Sequence, residues 1–412
     1  MTEVDGGWDP RADRIRVLLA DLVDQAALCT PDEVAELVAV QAGGAGLLEV
    51  VVYLADYGQT RLVPLPYRGM PGRTPFSIEG TLAGRAYRTA GVLEGEADGG
   101  DGRRLWLPLV HGSERIGVME ATFAGPAVSS ALRDACQRYA RMVATLVVGR
   151  WAYGDVFERV RRERPMRLPA EIQWRLLPPT TFATDWFVVS GMLEPWDEVG
   201  GDAFDYAVNE GRVHLAVFDA MGHGLNATLL STVAVGVYRN ARRAGLDLPE
   251  TYTAIDREIA EQFGRQYFVT GLLLELDSRV GRLDWISAGH LPPLLLRQGR
   301  LVKTLAARPA TPMGLRLLGR PPPVQGEQLE PADRLILYTD GVVEARQHGQ
   351  FFTDERLADF IVRESASGHS PPEVLRRLIR AVLDHQHGRL QDDATILLLE
   401  WTAGGRAALA GG

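Results

Sequence analysis

Four acidic sites, each beside glycines or at the mouth of an apolar run, carry the chemistry open to this chain. Asp202 follows Gly200-Gly201. Asp219 closes the apolar run 213–218 and precedes Gly222-His223-Gly224. Asp340 closes the run 334–339 and precedes Gly341, and Asp392-Asp393 stand just before the run 394–401. Aspartate is depleted in strands and costly to bury without a counter-charge, so four such placements ask for one common cause. A hard divalent cation supplies it. Mg2+ and Mn2+ take carboxylate, carbonyl and water oxygens, and a neighbouring glycine lets the backbone approach the ion. The competing explanation is that Asp-Gly pairs are turn residues; it serves for Asp340-Gly341 alone and poorly for all four sites together. His223 and His290 each lie in a glycine-flanked turn, open to a turn role, to a role behind the ligands, or to protonating a leaving group.

Bulk properties narrow the remaining classes. The chain has 412 residues, 46% hydrophobic and 24% charged, enough for two or three globular domains. Its net charge of −9 argues against nucleic acid as a partner and against a nuclease. Lys303 is the only lysine and follows no Gly-x-x-x-x-Gly run, which excludes a P-loop nucleotide site. Cys29 and Cys136 are too few and too far apart for a metal knuckle or a disulfide framework and read as small core residues. The densest apolar run, 47–55, is broken by Glu49, and the first residues are acidic where a signal peptide is basic. The expectation is a cytoplasmic protein with no membrane association.

The elements that must position these residues follow from periodicity. Thr30-Pro31-Asp32-Glu33 has the hydroxyl, proline and glutamate of a capping box and predicts a helix to about Val40, ended by Gly43, Gly44 and Gly46. Residues 48–55 and 61–65 read as a hairpin through Asp56-Tyr57-Gly58, 81–89 as a short helix, 104–110 and 115–123 as a second hairpin, and 129–148 as a closing helix. Together they predict an α+β domain over 1–150. Residues 151–180 read as a helical linker, with Leu168, Ile172 and Leu176 as an apolar stripe on a helix from about Pro169 to Pro178. That stripe suits a passive spacer, a switch or a homodimer contact. Over 181–403, strands at 187–193, 203–208, 213–218, 268–276, 283–287, 334–339 and 394–401 come in groups with helices at 225–243, 249–263, 354–362 and 371–387, around a Pro-rich excursion before 334. Such segregation predicts antiparallel sheets covered by helices. The tail 404–412 is small and Gly-rich and is expected to be flexible.

Five segments then align with a known pattern: Glu198-Val-Gly-Gly-Asp-Ala-Phe-Asp205, Asp219-Ala-Met-Gly-His-Gly-Leu225, Ala288-Gly-His-Leu-Pro-Pro293, Leu337-Tyr-Thr-Asp-Gly-Val-Val-Glu-Ala345 and Asp392-Asp-Ala-Thr395. In order and spacing they resemble PPM-type (protein phosphatase 2C-like) serine/threonine phosphatases, within them the bacterial branch of the sporulation phosphatase SpoIIE and the stress-response phosphatase RsbU. On element order, and on segments 81–86 and 115–120, residues 1–150 resemble a GAF sensory domain. The resemblance implies an α+β chain, a GAF-like domain followed by an αββα sandwich holding two Mg2+ or Mn2+ ions between its sheets. It implies that Asp202, Asp219, Asp340 and Asp392 are the catalytic ligands, with Asp219 bridging the ions and Ala220 offering its carbonyl. Of Asp392 and Asp393, the first occupies the family's leading position. The activity implied is hydrolysis of phosphoserine or phosphothreonine on a partner protein, by analogy a STAS-type anti-anti-sigma regulator, under control of the N-terminal domain. The alternative is a catalytically silent scaffold that binds its partner without hydrolysis. Ala220-Met221 stands where Val-Ser is common, Ala203-Phe204 replaces Phe-Tyr, and no arginine matches the phosphate-binding arginine of eukaryotic relatives.

Overall fold

A computed structural model describes residues 9–405, apart from 45, 71, 98–101, 126, 163–164, 196–199, 309, 318–320, 348–349 and 388–389. Glu198 of the first motif, and the expected flexible tail from 406 onward, lie outside the described residues. One compact unit ends at Pro165 and a second begins at Met166.

The first unit opens with α1 (Pro10–Ala26), a helix the sequence reading does not anticipate. Asp9 caps it by accepting from the Arg11 N–H at 2.9 Å, Pro10 takes the first helical position, and Ile15, Leu18 and Leu22 turn inward. The Thr30–Glu33 capping box is present and leads through a short 3-10 turn into α2 (Val34–Gly44). Next come β1 (Glu49–Ala55), β2 (Arg61–Pro64), β3 (Phe76–Ser77), α3 (Leu82–Thr89), β4 (Leu93–Glu96), β5 (Gly102–His111), β6 (Glu114–Ala124), α4 (Ser130–Arg150) and α5 (Val156–Arg161). The strands form one antiparallel sheet in the order β3-β2-β1-β6-β5-β4. Residues of α1, α2 and α4 pack on one face in a common apolar cluster, and α3 covers the other. Cys136 lies in that core, where burial pushes its thiol up to about 12; Cys29 is only partly buried, its Sγ 3.3 Å from the Thr30 carbonyl.

The second unit runs α6 (Leu168–Leu176), β7 (Thr181–Ala183), β8 (Phe187–Glu194), β9 (Ala203–Asn209), β10 (Arg212–Ala220), α7 (Gly224–Arg243), α8 (Leu248–Phe263), β11 (Val269–Asp277), β12 (Arg282–Ala288), β13 (Leu294–Arg297) and β14 (Arg300–Thr304). It continues β15 (Gln325–Gln328), β16 (Arg334–Tyr338), α9 (Asp340–Val343), β17 (Arg346–Gln347), β18 (Gln350–Phe351), α10 (Asp354–Ala366), α11 (Pro371–His385) and β19 (Ala394–Trp401). Two large antiparallel sheets result, in the orders β15-β12-β11-β10-β9 and β14-β13-β16-β19-β8-β7, with β17 and β18 forming a separate small hairpin. One apolar cluster joins their facing sides: Val213, Leu215 and Val217 from the first meet Leu335, Leu337, Leu397 and Leu399 from the second. The outer face of the first sheet packs on α7 and α8, and that of the second on α10 and α11. The order of layers is therefore helix, sheet, sheet, helix. Among the described residues no helix is long and apolar enough to cross a membrane.

Two readings of the sequence are corrected here. The Pro-rich excursion contains the hairpin β13-β14, closed by Gln298 and Gly299, both with positive φ, as a tight two-residue hairpin turn requires. The linker helix forms as α6, but its buried residues are Ala170 and Gln173 rather than the stripe: Leu168 is 60% exposed, and Ile172 and Leu176 are half-buried. It belongs to the second unit, lies against α7, and ends with Leu176 on the cluster beneath α7 and α8. Starting a fragment at 181 thus removes a docked helix. A fragment spanning 166–408 is expected to melt in one cooperative transition, and one spanning 181–408 to melt lower or fail to fold. Equal melting temperatures by circular dichroism would contradict this packing.

Candidate functional site

Both sheets deliver aspartates to the same end of the sandwich. Asp202 directly precedes β9, and Asp219 is the penultimate residue of the adjacent β10, where Phe218 pairs with Ala203. In the other sheet, Asp340 follows β16 by one residue and opens α9, while Asp392 and Asp393 directly precede β19, the partner of β16. Strand ends are where backbone can leave a sheet to turn, and carboxylates there can face solvent or an ion without breaking a ladder.

Hydrogen bonds stitch the two sheets together at this point. The Thr339 hydroxyl donates to Asp202 Oδ2 at 2.7 Å, and the Thr395 N–H donates to Thr339 Oγ1 at 3.1 Å. The Gly200 N–H donates to Asp393 Oδ1, and the Gln173 amide donates both to Asp393 Oδ2 and to the Asp202 carbonyl, each at 2.8 Å. The glycines are obligatory here for a steric reason. A Cβ on Gly341 would sit 2.0 Å from the Asp393 carbonyl, and one on Gly201 2.6 Å from the Ala220 carbonyl.

Electrostatics identify the cluster as short of positive charge. Burial first, then Asp340, Asp392 and Asp393, raise the Asp219 carboxyl to about 7, against a small opposing effect of the Thr270 hydroxyl. Burial, joined by Asp340, Asp393 and Glu344, raises Asp392 to about 6, opposed by the Asp393 N–H. Asp202 is pushed well above the carboxylate range by burial, Asp219 and Asp393. Carboxylates that each raise the others' proton affinity are carboxylates in want of a cation. Among the described residues, no three His, Cys, Asp or Glu side chains converge tightly enough to chelate one ion as they stand. The candidate donors are all oxygens, the preference of a hard Mg2+-like ion. Gln173 Oε1 is buried there without a protein donor. The donor set is thus one that would accept a hard divalent ion.

Other motif residues have different duties. Asp205 binds Arg239 and Arg242, at 2.7 and 2.9 Å, and supports the fold behind the cluster. His290 is enclosed and neutral: burial lowers it to about 4, Nδ1 meets the Thr270 hydroxyl at 2.8 Å, and Nε2 meets the Tyr338 carbonyl at 3.1 Å. Thr270 is the register partner of Asp219, so this histidine braces β11 against the end of β16 and has no nitrogen left for a leaving group. His223 is exposed at the start of α7. Sequence reasoning missed Gln173, Thr270 and Thr339. The hydroxyls carry no pattern by which to find them, and only the position of Thr339 next to Asp340 pointed that way.

A cavity of about 300 Å3 opens at the cluster, lined by Asp340, Gly341, Glu344, Gln386, Gln391 and Asp392. A larger cleft of about 700 Å3 lies along α7 and α8, but none of the five aspartates lines it, and the chemistry is placed by the carboxylates rather than by size.

The raised carboxyls set a pH dependence. In the metal-free protein Asp219 ionises near 7 when folded and near 3.8 when unfolded. Between pH 3.8 and about 7 the folded state therefore holds a proton that the unfolded state lacks, so this contribution to stability is fully present below 3.8 and is lost as pH rises through 7. Asp219→Asn is expected to raise the melting temperature of the metal-free protein at pH 8, with the advantage shrinking toward pH 5. A variant no more stable than wild type at pH 8 would show that the carboxylates do not strain the fold.

Residues 209–402 match the profile of the family described as Stage II sporulation protein E (SpoIIE). The chain is 25% identical over 250 residues to the phosphoserine phosphatase RsbP of Bacillus subtilis (strain 168), covering 58% of this chain and 59% of RsbP. It is 21% identical over 235 residues to the phosphoserine phosphatase RsbU of the same organism, covering 57% of this chain and 69% of RsbU. Among solved structures, the RsbU and RsbW domains of Rv1364c from Mycobacterium tuberculosis match 53% of this chain and 60% of theirs, at 26% identity and a TM-score of 0.46. The PP2C domain of SiaA from Pseudomonas aeruginosa matches 52% of this chain and 85% of its own, at 21% identity and a TM-score of 0.45. The structural scores are too low to carry the assignment, which rests on the sequence matches and the ordered motifs. Residues 209–402, within the second unit, thus carry a SpoIIE-family domain similar to those of RsbP, RsbU and SpoIIE, and the chain spans about three-fifths of the length of RsbP.

Proposed function

We propose that this chain is a metal-dependent protein serine/threonine phosphatase that hydrolyses phosphoserine or phosphothreonine on a partner protein. The observation that supports it most is the mutual crowding of Asp202, Asp219, Asp340, Asp392 and Asp393 at strand ends of two sheets, which raises the carboxyls of Asp202, Asp219 and Asp392, beside a cavity that Asp340 and Asp392 line. In this reading Asp202, Asp219, Asp340 and Asp392 hold two Mg2+ or Mn2+ ions with the Ala220 carbonyl, and Asp393 supports them. Asp392 rather than Asp393 faces the cavity, which favours it as the ligand of the pair. When bound, such ions supply activation of a water for attack on phosphorus and neutralisation of the phosphoryl oxygens.

The chain's own residues do the rest. The aspartates fix where positive charge can sit, and Thr339 and His290 keep the two sheet ends from drifting apart. Both His290 nitrogens are engaged, so His290 braces the sheet ends and does not supply the proton to the leaving serine oxygen. The names of the relatives RsbP and RsbU, phosphoserine phosphatases, favour a phosphoserine substrate, and the resemblance to the RsbU branch makes a STAS-type anti-anti-sigma protein the proposed partner. The first unit is read as a GAF-like sensor acting through the linker, with a homodimer as one route. A silent scaffold has no observation in its favour, because each carboxylate the chemistry needs is present and gathered.

Asp219→Ala and Asp340→Ala are each expected to lower turnover of a chromogenic phosphate ester by roughly 100-fold or more. EDTA should abolish activity in the wild type, and Mn2+ or Mg2+ should restore it. Full activity in both variants, or activity that resists chelation, would remove the metal assignment.

A further inference from the structure

Gln173 comes from α6, outside all five motifs, yet its side chain is 0% exposed and ends among the aspartates. One terminal atom stands 2.8 Å from two acceptors, the Asp202 carbonyl and Asp393 Oδ2, so that atom is the amide nitrogen with both protons engaged. The opposite oxygen of Asp393 accepts from the Gly200 N–H at 2.8 Å. Asp393 is thereby held in one orientation by donors on either side, while its main chain gives an N–H to Asp392 Oδ1 at 2.8 Å. A single carboxamide therefore ties together the loop carrying Asp202 and the pair Asp392-Asp393, which come from different sheets.

The helix does not need this amide in order to dock. Leu176 at its C-terminal end packs on the α7 and α8 cluster, and its carbonyl accepts from Arg239 Nη2 at 2.7 Å, with Arg239 itself anchored on Asp205. A buried polar side chain here costs free energy that an apolar residue would avoid, and its two bonds go to the acid cluster alone.

We propose that Gln173 is a positioning residue of the metal centre: it sets the orientation of Asp393 and the height of the Asp202 loop, and so the affinity of the site for divalent ions. This rests on the metal-dependent reading above. It also makes α6 part of the site rather than part of a spacer.

The test is titration of the metal-free, full-length protein with Mn2+ by calorimetry, for wild type and for Gln173→Met, which keeps length and bulk without a donor. Mn2+ affinity is expected to fall about 10- to 100-fold, the range for removing partners that orient ligands, with the far-ultraviolet circular dichroism unchanged. In an Asp393→Asn background, Gln173→Met should cost much less, because the group it orients has already been altered. If Gln173→Met does not fold, Gln173→Asn, which withdraws the amide by one methylene, gives the same comparison. Wild-type Mn2+ affinity in the folded variant, or an equal loss with and without Asp393→Asn, overturns the proposal; a role in packing alone would move only the melting temperature. Gln173-dependent Mn2+ binding in a protein that hydrolyses no phosphoester leaves the positioning role standing and removes the phosphatase reading instead. Phosphatase activity with Mn2+ binding indifferent to Gln173 removes only the positioning role.

Discussion

Like charges crowd one end of the second unit, and the polar contacts around them hold those charges against their own repulsion. Five carboxylates in a partly buried cluster would separate, or take up protons, unless the backbone left them no freedom. Antiparallel pairing of β9 with β10 and of β16 with β19 provides the first restraint, because register fixes where each strand ends. Thr339, Gly200 and Gln173 provide the second, by bonding across from one sheet to the other. Glycine at 201 and 341 permits the approach, since any side chain there would strike a backbone carbonyl. The strain left over, visible in the raised carboxyls of Asp219 and Asp392, is what a divalent cation would relieve.

This arrangement sets the aspartate cluster apart from the apolar layer between the sheets. The cluster between the sheets is made of Val, Leu, Phe and Trp, with the Trp401 indole N–H donating to the Ser278 carbonyl at its edge. At the strand ends the core stops, and most buried polar groups there are hydrogen-bonded. His290 shows the rule. It has the residue type of a proton donor, but both nitrogens are engaged in bracing β11 to the end of β16, and burial keeps it neutral.

Much of the second unit was legible in the sequence because its strands bury one or both faces and aspartates stand at the ends of several of them. The aspartates could be chosen for the same reason: a carboxylate where a strand should end is conspicuous. What stayed hidden was encoded by residues with weak patterns. The helix α1 shows Asp-Pro at its start and Ile15, Leu18 and Leu22 at helical spacing, but interleaved arginines and aspartates obscured the stripe. The hairpin β13-β14 follows Pro292-Pro293 inside the Pro-rich excursion, where the prolines mask a strand pair whose turn Gln298-Gly299 marks. In α6 the apolar residues at intervals of four suggested the buried face, while the face that docks carries Ala170 and Gln173, one small and one polar. Hydrophobic periodicity cannot find a face that is buried for its hydrogen bonds.

The central claim is that the five aspartates are held together to receive divalent cations. Anomalous diffraction from a crystal soaked in Mn2+ tests it most directly. The account expects Mn2+ peaks at the cluster, with Asp219 in contact, Asp202, Asp340 and Asp392 about 2.0–2.4 Å from an ion or joined to it through water, and Gln173 still bonded to Asp393. Peaks elsewhere on the molecule, with the aspartates unliganded at saturating Mn2+, would contradict it.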